Sequence, residues 1–407
     1  MPGASPVRST NDQEVDNEVT TETQRLIRVQ STGARERCRR IGEKELNGMN
    51  VFKRSRTLAA GLAAVFVIAG CTGGDPGAST AASAGGSAGG GEGSYHLGVS
   101  NTVQGNGWRE EMICSIKAQA KVSGEVADLT IAHRNTDAAG QLEDIRNLIA
   151  SDVDAIIVNP VSPDAVNAAL EEAMEAGITV VAVDQAVTAE GAYLLANNQE
   201  EYGYLGAKWL FEQLGGSGNV VYMRGAAGAT ADTDRDTGFQ RALEEFPDIT
   251  VVAETQTGWD QATGAQQIND VISSGEEFDG VWTSGIDNVI VDALVDADML
   301  VPVVGADNAG FVQQLLEVEG LEGAAVTNPA SVGGAGVTLA LQILNGEAPD
   351  DPAVLVDPVV WDNTSEEGTA TLEEANDPDI DETWPLGITI EGWTDYTKED
   401  ILACEDL

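Results

Sequence analysis

The chain contains few of the residues that bind metal ions. It has two histidines and four cysteines among 407 residues. No two cysteines form a CxxC pair, and the histidines, His96 and His133, do not stand at the spacing of a zinc site. The sequence therefore predicts no metal site.

Basic residues are also scarce. Lysine and arginine number 21 against 67 aspartates and glutamates, which gives a net charge of −46, and eleven of the 21 lie before residue 71. A protein with this much negative charge is repelled by nucleic acid and by anionic lipid headgroups. We therefore expect no nucleic-acid partner. The negative charge fits two interpretations. We favour a solvated surface suited to high salt or to an exposed location, and the alternative is an acidic face that binds a partner.

Only one apolar run near the amino terminus suggests membrane targeting. Residues 58–70 are apolar, follow Lys53, Arg54 and Arg56, and end in the sequence IAGC, whose cysteine is Cys71. The run is shorter than the ~20 residues of a membrane-spanning helix but suits the core of a signal peptide. Its end resembles the lipobox of bacterial lipoproteins, and this resemblance implies lipidation of Cys71.

The first 94 residues divide into three segments by composition. Residues 1–48 mix eight acidic with eight basic residues, and we expect a disordered extension upstream of the true start at Met49. Residues 49–70 are the lipoprotein signal peptide. Residues 71–94 are almost wholly Gly, Ala and Ser, a flexible tether with a reach of ~25–30 Å.

From residue 95 onward, apolar strands alternate with helical patterns. The first unit is a strand at 95–99, a polar loop at 100–107 and a helix from residue 108. Further strands are predicted at 126–132, 155–158, 178–183, 219–223, 250–253, 280–283 and 301–305. Helices are predicted between them at 138–151, 165–177, 202–214, 233–246, 261–274 and 289–297. Two such series, with a break near 196–200, predict an α/β fold with two doubly wound parallel-sheet lobes.

Four short motifs and one loop carry a resemblance to a known family. The motifs are AIIVNP at 155–160, ITVVAVD at 178–184, DRDTGF at 234–239 and VVGAD at 303–307, and the loop is GNGWR at 105–109. In this order the chain resembles the type I periplasmic sugar-binding proteins of ABC importers, the ribose- and galactofuranose-binding branch, from about Tyr95 to about Pro358.

The resemblance implies the periplasmic binding protein-like I architecture, with two lobes joined by three hinge crossings near Ala196, Asp307 and Asn328. The first lobe would comprise 95–196 plus 328–355, and the second 197–327 plus 356–363. Residues 364–407 would follow as an acidic tail.

The same resemblance implies a function. It suggests a lipid-anchored receptor on the outer face of the bacterial cytoplasmic membrane, which binds a sugar or sugar-like polyol and delivers it to an ABC permease. It implies a monomer with no cofactor, no enzymatic activity and no membrane contact beyond the lipid. Two alternatives stay open: a sensor that presents the ligand to a membrane signalling partner, and a secreted α/β oxidoreductase.

The loops that follow the strands supply the side chains that a neutral sugar requires. Hydroxyls need Asn, Gln, Asp and Arg, and flat C–H faces need aromatic rings. The candidate ligand-binding residues are Asn101, Gln104, Trp108, Arg109, Asp184, Gln185, Asn198, Arg235, Trp259, Asp287, Asp307 and Asn328.

Several of these candidates carry specific expectations. By resemblance, Asp184 and Asp307 match ligand-binding aspartates and Trp259 matches an aromatic platform. Gln185 stands where the family usually has arginine, which weakens a specific ribose assignment. Arg235 could instead pair with the acidic residues on its own helix turn.

Two motifs resemble other sites and fail on detail. Gly105-x-Gly107-x-x-Glu110 lacks the third glycine of a dinucleotide fingerprint, and its charge would repel a pyrophosphate. Asp232-x-Asp234-x-Asp236 resembles the start of a calcium loop, but the required glycine and bidentate glutamate are missing. The sequence predicts neither cofactor.

The tail turns acidic and loop-like after Pro358. Trp384 and Trp393 are expected to dock it onto a lobe. Outside the membrane, Cys114 and Cys404 can pair, and such a bridge would pin the tail to the first lobe.

Overall fold

The computed structural model describes residues 94–407. The predicted extension, signal peptide and Cys71, and the tether up to residue 93, lie outside the described residues. Within 94–407, no helix has the length and hydrophobicity required to cross a membrane.

Twelve strands occur in the described part of the chain. They are β1 Tyr95–Asn101, β2 Val126–His133, β3 Ala155–Asn159, β4 Thr179–Val183, β5 Tyr193–Asn197, β6 Ser217–Arg224, β7 Asp248–Gln256, β8 Gly280–Trp282, β9 Val303–Ala306, β10 Gly323–Val326, β11 Ala353–Val356 and β12 Val360–Asp362. The central ones are short apolar runs; all five residues of β3 are buried, as expected of a strand covered on both faces.

Eleven helices lie between and after these strands. They are α1 Gly107–Ser123, α2 Ala138–Ala150, α3 Asn167–Glu175, α4 Gln199–Gln213, α5 Thr230–Glu245, α6 Gln261–Ser274, α7 Asp287–Asp296, α8 Ala309–Glu317, α9 Val332–Leu344, α10 Glu366–Ala375 and α11 Lys398–Ala403. Several start at side-chain caps: Asn106 accepts a hydrogen bond from the Arg109 N–H, and Asp260 accepts one from the Thr263 N–H.

The strands form two six-stranded sheets, each the centre of one lobe. The first has the order β11-β5-β4-β3-β1-β2 and is parallel throughout. The second has the order β12-β10-β9-β8-β6-β7 and is parallel except for the edge strand β12, where Ala325 pairs antiparallel with Trp361. The predicted α/β fold with two parallel-sheet lobes is confirmed.

Each sheet is covered by apolar side chains on both faces. In the first lobe, one core includes Leu97, Met112 and Val337 and the other includes Ile145 and Leu170. In the second lobe, separate cores likewise lie on the two sides of the sheet. Because the central strands are covered on both sides, the loops at the strand ends are left to build a site.

Between residues 94 and 363, the chain passes between the lobes at three places. It crosses at Asn198 between β5 and α4, at 327–331 between β10 and α9, and at 357–359 between β11 and β12. The expected crossing at Asp307 is wrong, because Asp307 connects β9 to α8 and both belong to the second lobe.

The tail is more ordered than its composition suggested. It contains α10 and α11, and Leu372 on α10 is fully buried in the core of the second lobe. Trp393 packs against the core of the first lobe. Cys114 on α1 and Cys404 at the end of α11 form a disulfide bond with an S–S distance of 2.05 Å.

Candidate functional site

A cavity of about 680 Å³ lies between the two lobes, where the carboxyl ends of both sets of strands meet. Eight of the twelve candidate residues line it. They are Gln104, Trp108, Arg109, Asp184, Gln185, Arg235, Trp259 and Asn328.

Arg109 and Asp184 form a charged pair on the first-lobe wall. Arg109 is 7% exposed and its Nη1 donates to Asn101 Oδ1 at 2.8 Å. Its Nη2 lies 3.7 Å from Asp184 Oδ2. Burial lowers the pKa of Arg109 and the charge of Asp184 partly offsets this, but a guanidinium stays charged at neutral pH. The wall therefore presents a fixed donor beside a fixed acceptor.

Asp184 is held by its backbone as well as its neighbours. It follows β4 with a φ of 64°, in the left-handed region, which costs roughly 1–2 kcal/mol for a residue with a Cβ. Asn159 Nδ2 donates to its Oδ2 at 3.1 Å and Gln199 Nε2 donates to its Oδ1 at 3.3 Å. Such local strain is typical of functional sites, where surrounding contacts hold it in place.

Trp259 and Arg235 form the opposite, second-lobe wall. Trp259 also has a positive φ, of 57°, and its ring lies directly over Gly225, where an added Cβ would fall 2.1 Å from Trp259 Cε2. Arg235 Cζ lies 4.1 Å from the centroid of the Tyr202 ring and 5.9 Å from that of Trp259. The two rings and the cation stabilise one another through cation–π contact.

This wall has unused hydrogen-bond donors. Arg235 Nε donates to Gln199 Oε1 at 2.8 Å, while its Nη atoms have no acceptor among residues 94–407. Trp259 Nε1 is buried and also lacks an acceptor within that part of the chain. The alternative pairing of Arg235 with Asp232, Asp234 or Asp236 on its own helix turn does not occur: none of the three forms an ion pair with it among residues 94–407, and Asp232 and Asp236 pair with Arg224 at 2.8 and 3.2 Å.

Several hydrogen bonds beside the cavity cross between the lobes or join a lobe to the hinge. Gln185 Oε1 accepts from the Thr230 N–H at 3.1 Å, and Asn106 Nδ2 donates to the Trp259 carbonyl at 3.3 Å. Trp108 Nε1 donates to the Asn328 carbonyl at 2.7 Å. These bonds hold the lobes together around the cavity, in a closed arrangement.

Four candidate residues do not line the cavity. The structure therefore contradicts the expectation that they contact a ligand directly. Asn101 lies behind Arg109 and is 1% exposed. Asn198 caps α4 and its Nδ2 donates to Asp357 Oδ1 across the hinge. Asp287 and Asp307 are fully buried.

The two buried aspartates accept hydrogen bonds from the loops around them. Asp287 Oδ2 accepts from the Ala306 N–H at 3.0 Å and from Asn308 Nδ2 at 3.2 Å. Asp307 Oδ1 accepts from the Asn328 N–H at 2.8 Å. Burial raises the pKa of Asp287 to about 7 and that of Asp307 to about 6, against the lowering effect of these donors. They brace the loops that carry the cavity wall.

Sequence reasoning missed several polar residues of the wall. These are Thr102, Asn106, Asn135, Asp260, Gln261, Ser284, Asn308 and Thr383. Thr102, Asp260 and Asn308 directly follow residues that were chosen, so the strand-end rule could have found these three. Thr383 has no such signal, because it comes from the tail. No group of three metal-ligating side chains occurs in the described range.

Comparison with known proteins identifies a family with which this two-lobed structure is consistent. Residues 97–348 match the family described as periplasmic binding protein domain. The chain belongs to the periplasmic binding proteins.

Two curated relatives of this binding protein illustrate the family. The xylitol-binding protein of Mycolicibacterium smegmatis is 30% identical over 237 residues, 56% of this chain and 67% of that protein. The ribose import binding protein of Bacillus subtilis is 22% identical over 256 residues, 62% of this chain and 83% of that protein.

Solved structures share the fold. An ABC transporter solute-binding protein from Thermobispora bispora superposes with a TM-score of 0.65 at 24% identity, covering 72% of this chain and 90% of that one. One from Bacillus halodurans with bound myo-inositol gives 0.63 at 23%, covering 70% and 99%. The family match and the curated relatives, which are named as binding proteins and not as enzymes, place this binding protein with the type I periplasmic sugar-binding proteins, and they do not favour the oxidoreductase alternative.

Proposed function

We propose that this binding protein is the extracytoplasmic receptor of an ABC importer, and that it binds a sugar or sugar-like polyol between its lobes and delivers it to a permease. The observation that carries the proposal is the pairing of a charged wall, Arg109 with Asp184, and an aromatic wall, Trp259 with Arg235, across one cavity. The cavity of about 680 Å³ falls within the ~300–1,000 Å³ usual for small-molecule sites.

The charged wall suits vicinal hydroxyls. Each hydroxyl donates one hydrogen bond and accepts others, so a diol unit can donate to Asp184 and accept from Arg109. Both side chains are already fixed by neighbours. The ligand therefore meets a preorganised pair and little ordering entropy is lost on binding.

The aromatic wall suits the apolar C–H face of the same ligand. Trp259 offers a ring held rigidly over Gly225, and the free Nη donors of Arg235 can bind ligand oxygens at the ring's edge. Because Asp184 and Trp259 belong to different lobes, a ligand that contacts both favours the closed arrangement over the open one.

The relatives narrow the choice of ligands to test. Proteins similar to this one are named for xylitol, ribose, D-apiose and galactofuranose. Gln185 argues against ribose in particular, because its amide is occupied by Asn159, Pro160 and Thr230. We expect an open-chain polyol or an uncommon sugar.

A thermal-shift panel tests the ligand class. Pentoses, hexoses, pentitols, inositols and nucleosides are added to the full protein, with amino acids and citrate as negative controls. A true ligand at 100 times its Kd stabilises the folded state by about 2.7 kcal/mol. Calorimetry then measures Kd for each hit. A panel in which amino acids or citrate, and no polyol or sugar, shift the melting temperature would overturn the ligand class.

Delivery to a permease needs a cellular test. Deletion of the gene should abolish uptake of the radiolabelled ligand at concentrations near Kd, and the intact gene should restore it. The gene carrying Asp184→Ala, expressed to the same level, should not. Normal uptake in the deletion strain would favour the sensor alternative.

Lipid anchoring at Cys71 is part of the proposal and rests on the sequence from Met49 to Cys71. Cys71→Ala should give an unprocessed precursor that incorporates no labelled palmitate. Cys404→Ser serves as the matched control and should label normally. Equal labelling of both variants would exclude Cys71 as the lipidation site.

A further inference from the structure

The end of the chain binds to both lobes. We define the strap as residues 382–407, which follow α10 and include α11. Its first part lies on the second lobe at the start of α8, where the Ala309 N–H donates to the Trp384 carbonyl and the Gly310 N–H to the Glu382 carbonyl, both at 2.9 Å. The strap thus satisfies free backbone donors at the helix start.

The last part of the strap lies on the first lobe. Thr338 Oγ1 on α9 donates to the Trp393 carbonyl at 2.7 Å, and Gln119 Oε1 on α1 accepts from the Asp395 N–H at 2.8 Å. Tyr396 and Ile401 are buried against α1 beside the Cys114–Cys404 disulfide. This end is fixed both covalently and by packing.

Only residues 387–389 separate these two anchored parts. Leu386 donates its N–H to the Asp307 carbonyl in the second lobe, and Ile390 packs against the core of the first lobe. At ~3.3–3.6 Å per residue, the Cα atoms of Leu386 and Ile390 can separate by at most about 14 Å. Gly387 lies beside the hinge, since its carbonyl accepts from Ser331 Oγ at 2.9 Å.

The strap also reaches the cavity. Thr383 lines it and lies over Gly107, the first residue of α1 in the opposite lobe. A Cβ at Gly107 would fall 1.9 Å from Thr383 Oγ1 and 2.7 Å from the Thr383 carbonyl oxygen. Glycine is needed here because the strap passes so close.

We propose that the strap is a fourth connection between the lobes, which limits how far the cleft opens and places Thr383 in the cavity wall as a residue that limits ligand size. The role of Thr383 rests on the proposed function, whereas the limit on opening does not. A cleft that cannot open fully keeps a larger fraction of molecules in the binding-competent closed state, which lowers the apparent Kd.

The limit on opening is tested without ligand by changing only the length of the crossing. Six Gly/Ser residues are inserted between Thr389 and Ile390 in the full chain, so that every anchor and the disulfide are retained. The control carries the same six residues between Glu347 and Ala348, both exposed and within the first lobe. Spin labels on keto amino acids replace Glu171 and Asp270, one exposed position in each lobe, so that the cysteines stay untouched.

Pulsed electron resonance then measures the distance between the labels. We expect longer and broader distances in the Thr389/Ile390 insertion than in the wild type and the control. Identical distributions in all three proteins would overturn the proposal. If the insertion does not fold, removal of residues 390–407 with Cys114→Ser is measured instead, because it deletes the first-lobe anchor, and the same two outcomes apply.

Affinity provides the second measurement, with xylitol, D-ribose, myo-inositol and D-allose as probes. If lengthening the crossing lowers the closed fraction from about one half to about one twentieth, the apparent Kd rises about tenfold.

Thr383→Ala should bind the larger probes more tightly relative to the smaller ones, without changing the label distances. An unchanged order of affinities would exclude Thr383 as a size-limiting residue. Failure of all probes to bind would count against the proposed ligand class. The label distances would still show whether the strap limits the opening of the cleft.

Discussion

Gln185 in the first lobe accepts a hydrogen bond from the backbone N–H of Thr230 in the second lobe, at 3.1 Å. Its Nε2 donates to Asn159 Oδ1 and the Pro160 carbonyl, so the amide cannot turn to serve a ligand without breaking these bonds. The residue that replaces the family's usual arginine therefore joins the lobes directly. Closure here draws on contacts that need no ligand.

Thr230→Pro should remove this bond alone. Thr230 is the first residue of α5 and follows extended backbone at Ala229, and proline is tolerated at that position. Loss of one neutral hydrogen bond, about 0.5–1.5 kcal/mol, should weaken binding by roughly two- to tenfold. Thr230→Ala, which keeps the N–H, is the control for calorimetry. Equal affinities of the two variants would mean that the bond does not contribute to closure.

Asp184→Asn should weaken binding and also lower stability. The change removes charge-assisted bonds to ligand hydroxyls, about 1.5–3 kcal/mol each, or roughly ten- to a thousandfold in Kd. It also leaves the guanidinium of Arg109 buried without its carboxylate, so the melting temperature should fall. Asp144→Asn is a matched control, since Asp144 is also 8% exposed and pairs with Arg134 outside the cavity wall. Calorimetry should find wild-type ligand affinity for Asp144→Asn. A similar loss of affinity in both variants would mean that Asp184 supports the fold and does not contact the ligand.

Most of the fold follows from local pattern. Strands such as β3 are apolar runs of the right length, and the helices between them repeat at the helical period. The strands β5, β10, β11 and β12 were missed: β5, β11 and β12 are only partly buried, and β10, although fully buried, is a run of four small residues, Gly-Ala-Ala-Val. Their pairing depends on partners far away in sequence: Leu195 lies opposite Val354. Local sequence carries no record of that partner.

The site was predictable in part, for a physical reason. A loop that follows a strand must lie near the cleft, and Asp184 and Trp259 on such loops do line the cavity; their contact with a ligand stays a prediction. Whether a carboxylate faces the cavity or turns inward depends on free backbone donors nearby, as at Asp287 and Asp307. Those donors become visible only in three dimensions. Thr383 was unpredictable because the tail's path across the cleft depends on the whole fold.

Trp259→Ala should weaken binding more than Trp259→Phe. Removing the ring forfeits the burial of a large apolar side chain, about 1.5–3 kcal/mol, or roughly ten- to a hundredfold in Kd. Phenylalanine retains a ring face over Gly225 but loses the indole N–H, which lacks an acceptor in the described part of the chain. Calorimetry with the identified ligand ranks the wild type and the two variants by Kd. Wild-type affinity for Trp259→Ala would remove Trp259 from the site.

The Cys114–Cys404 disulfide should contribute strongly to stability. It closes a loop with a sequence separation of 290, for which the chain-entropy model gives about 6 kcal/mol. The double variant Cys114→Ser/Cys404→Ser should unfold at lower denaturant than the oxidised wild type and at the same concentration as the reduced wild type. If reduction leaves the wild-type midpoint unchanged, or mapping without reduction finds both thiols free, the bond does not form in the exported protein.

The last prediction concerns pH and Glu111 on α1. Glu111 is fully buried and its two carboxyl oxygens have no hydrogen-bond partner among residues 94–407. Burial, with the negative charge of Asp307, raises the pKa of Glu111 well above 4.5. Between that ordinary value and the raised one, the folded state binds more protons than the unfolded state, so the free energy of unfolding falls as pH rises.

Asp307, with a pKa of about 6, and Asp287, with a pKa of about 7, act in the same direction. Glu111→Gln removes one of these protonation sites while keeping the shape, so the fall in stability from about pH 5 to about pH 8 should become shallower. Glu171→Gln on α3, at an exposed position, is the control and should retain the wild-type slope. Denaturant unfolding across that pH range makes the comparison. If Glu111→Gln loses stability with pH as steeply as the control, then Glu111 is ionised in the folded protein and an unseen partner must stabilise its charge.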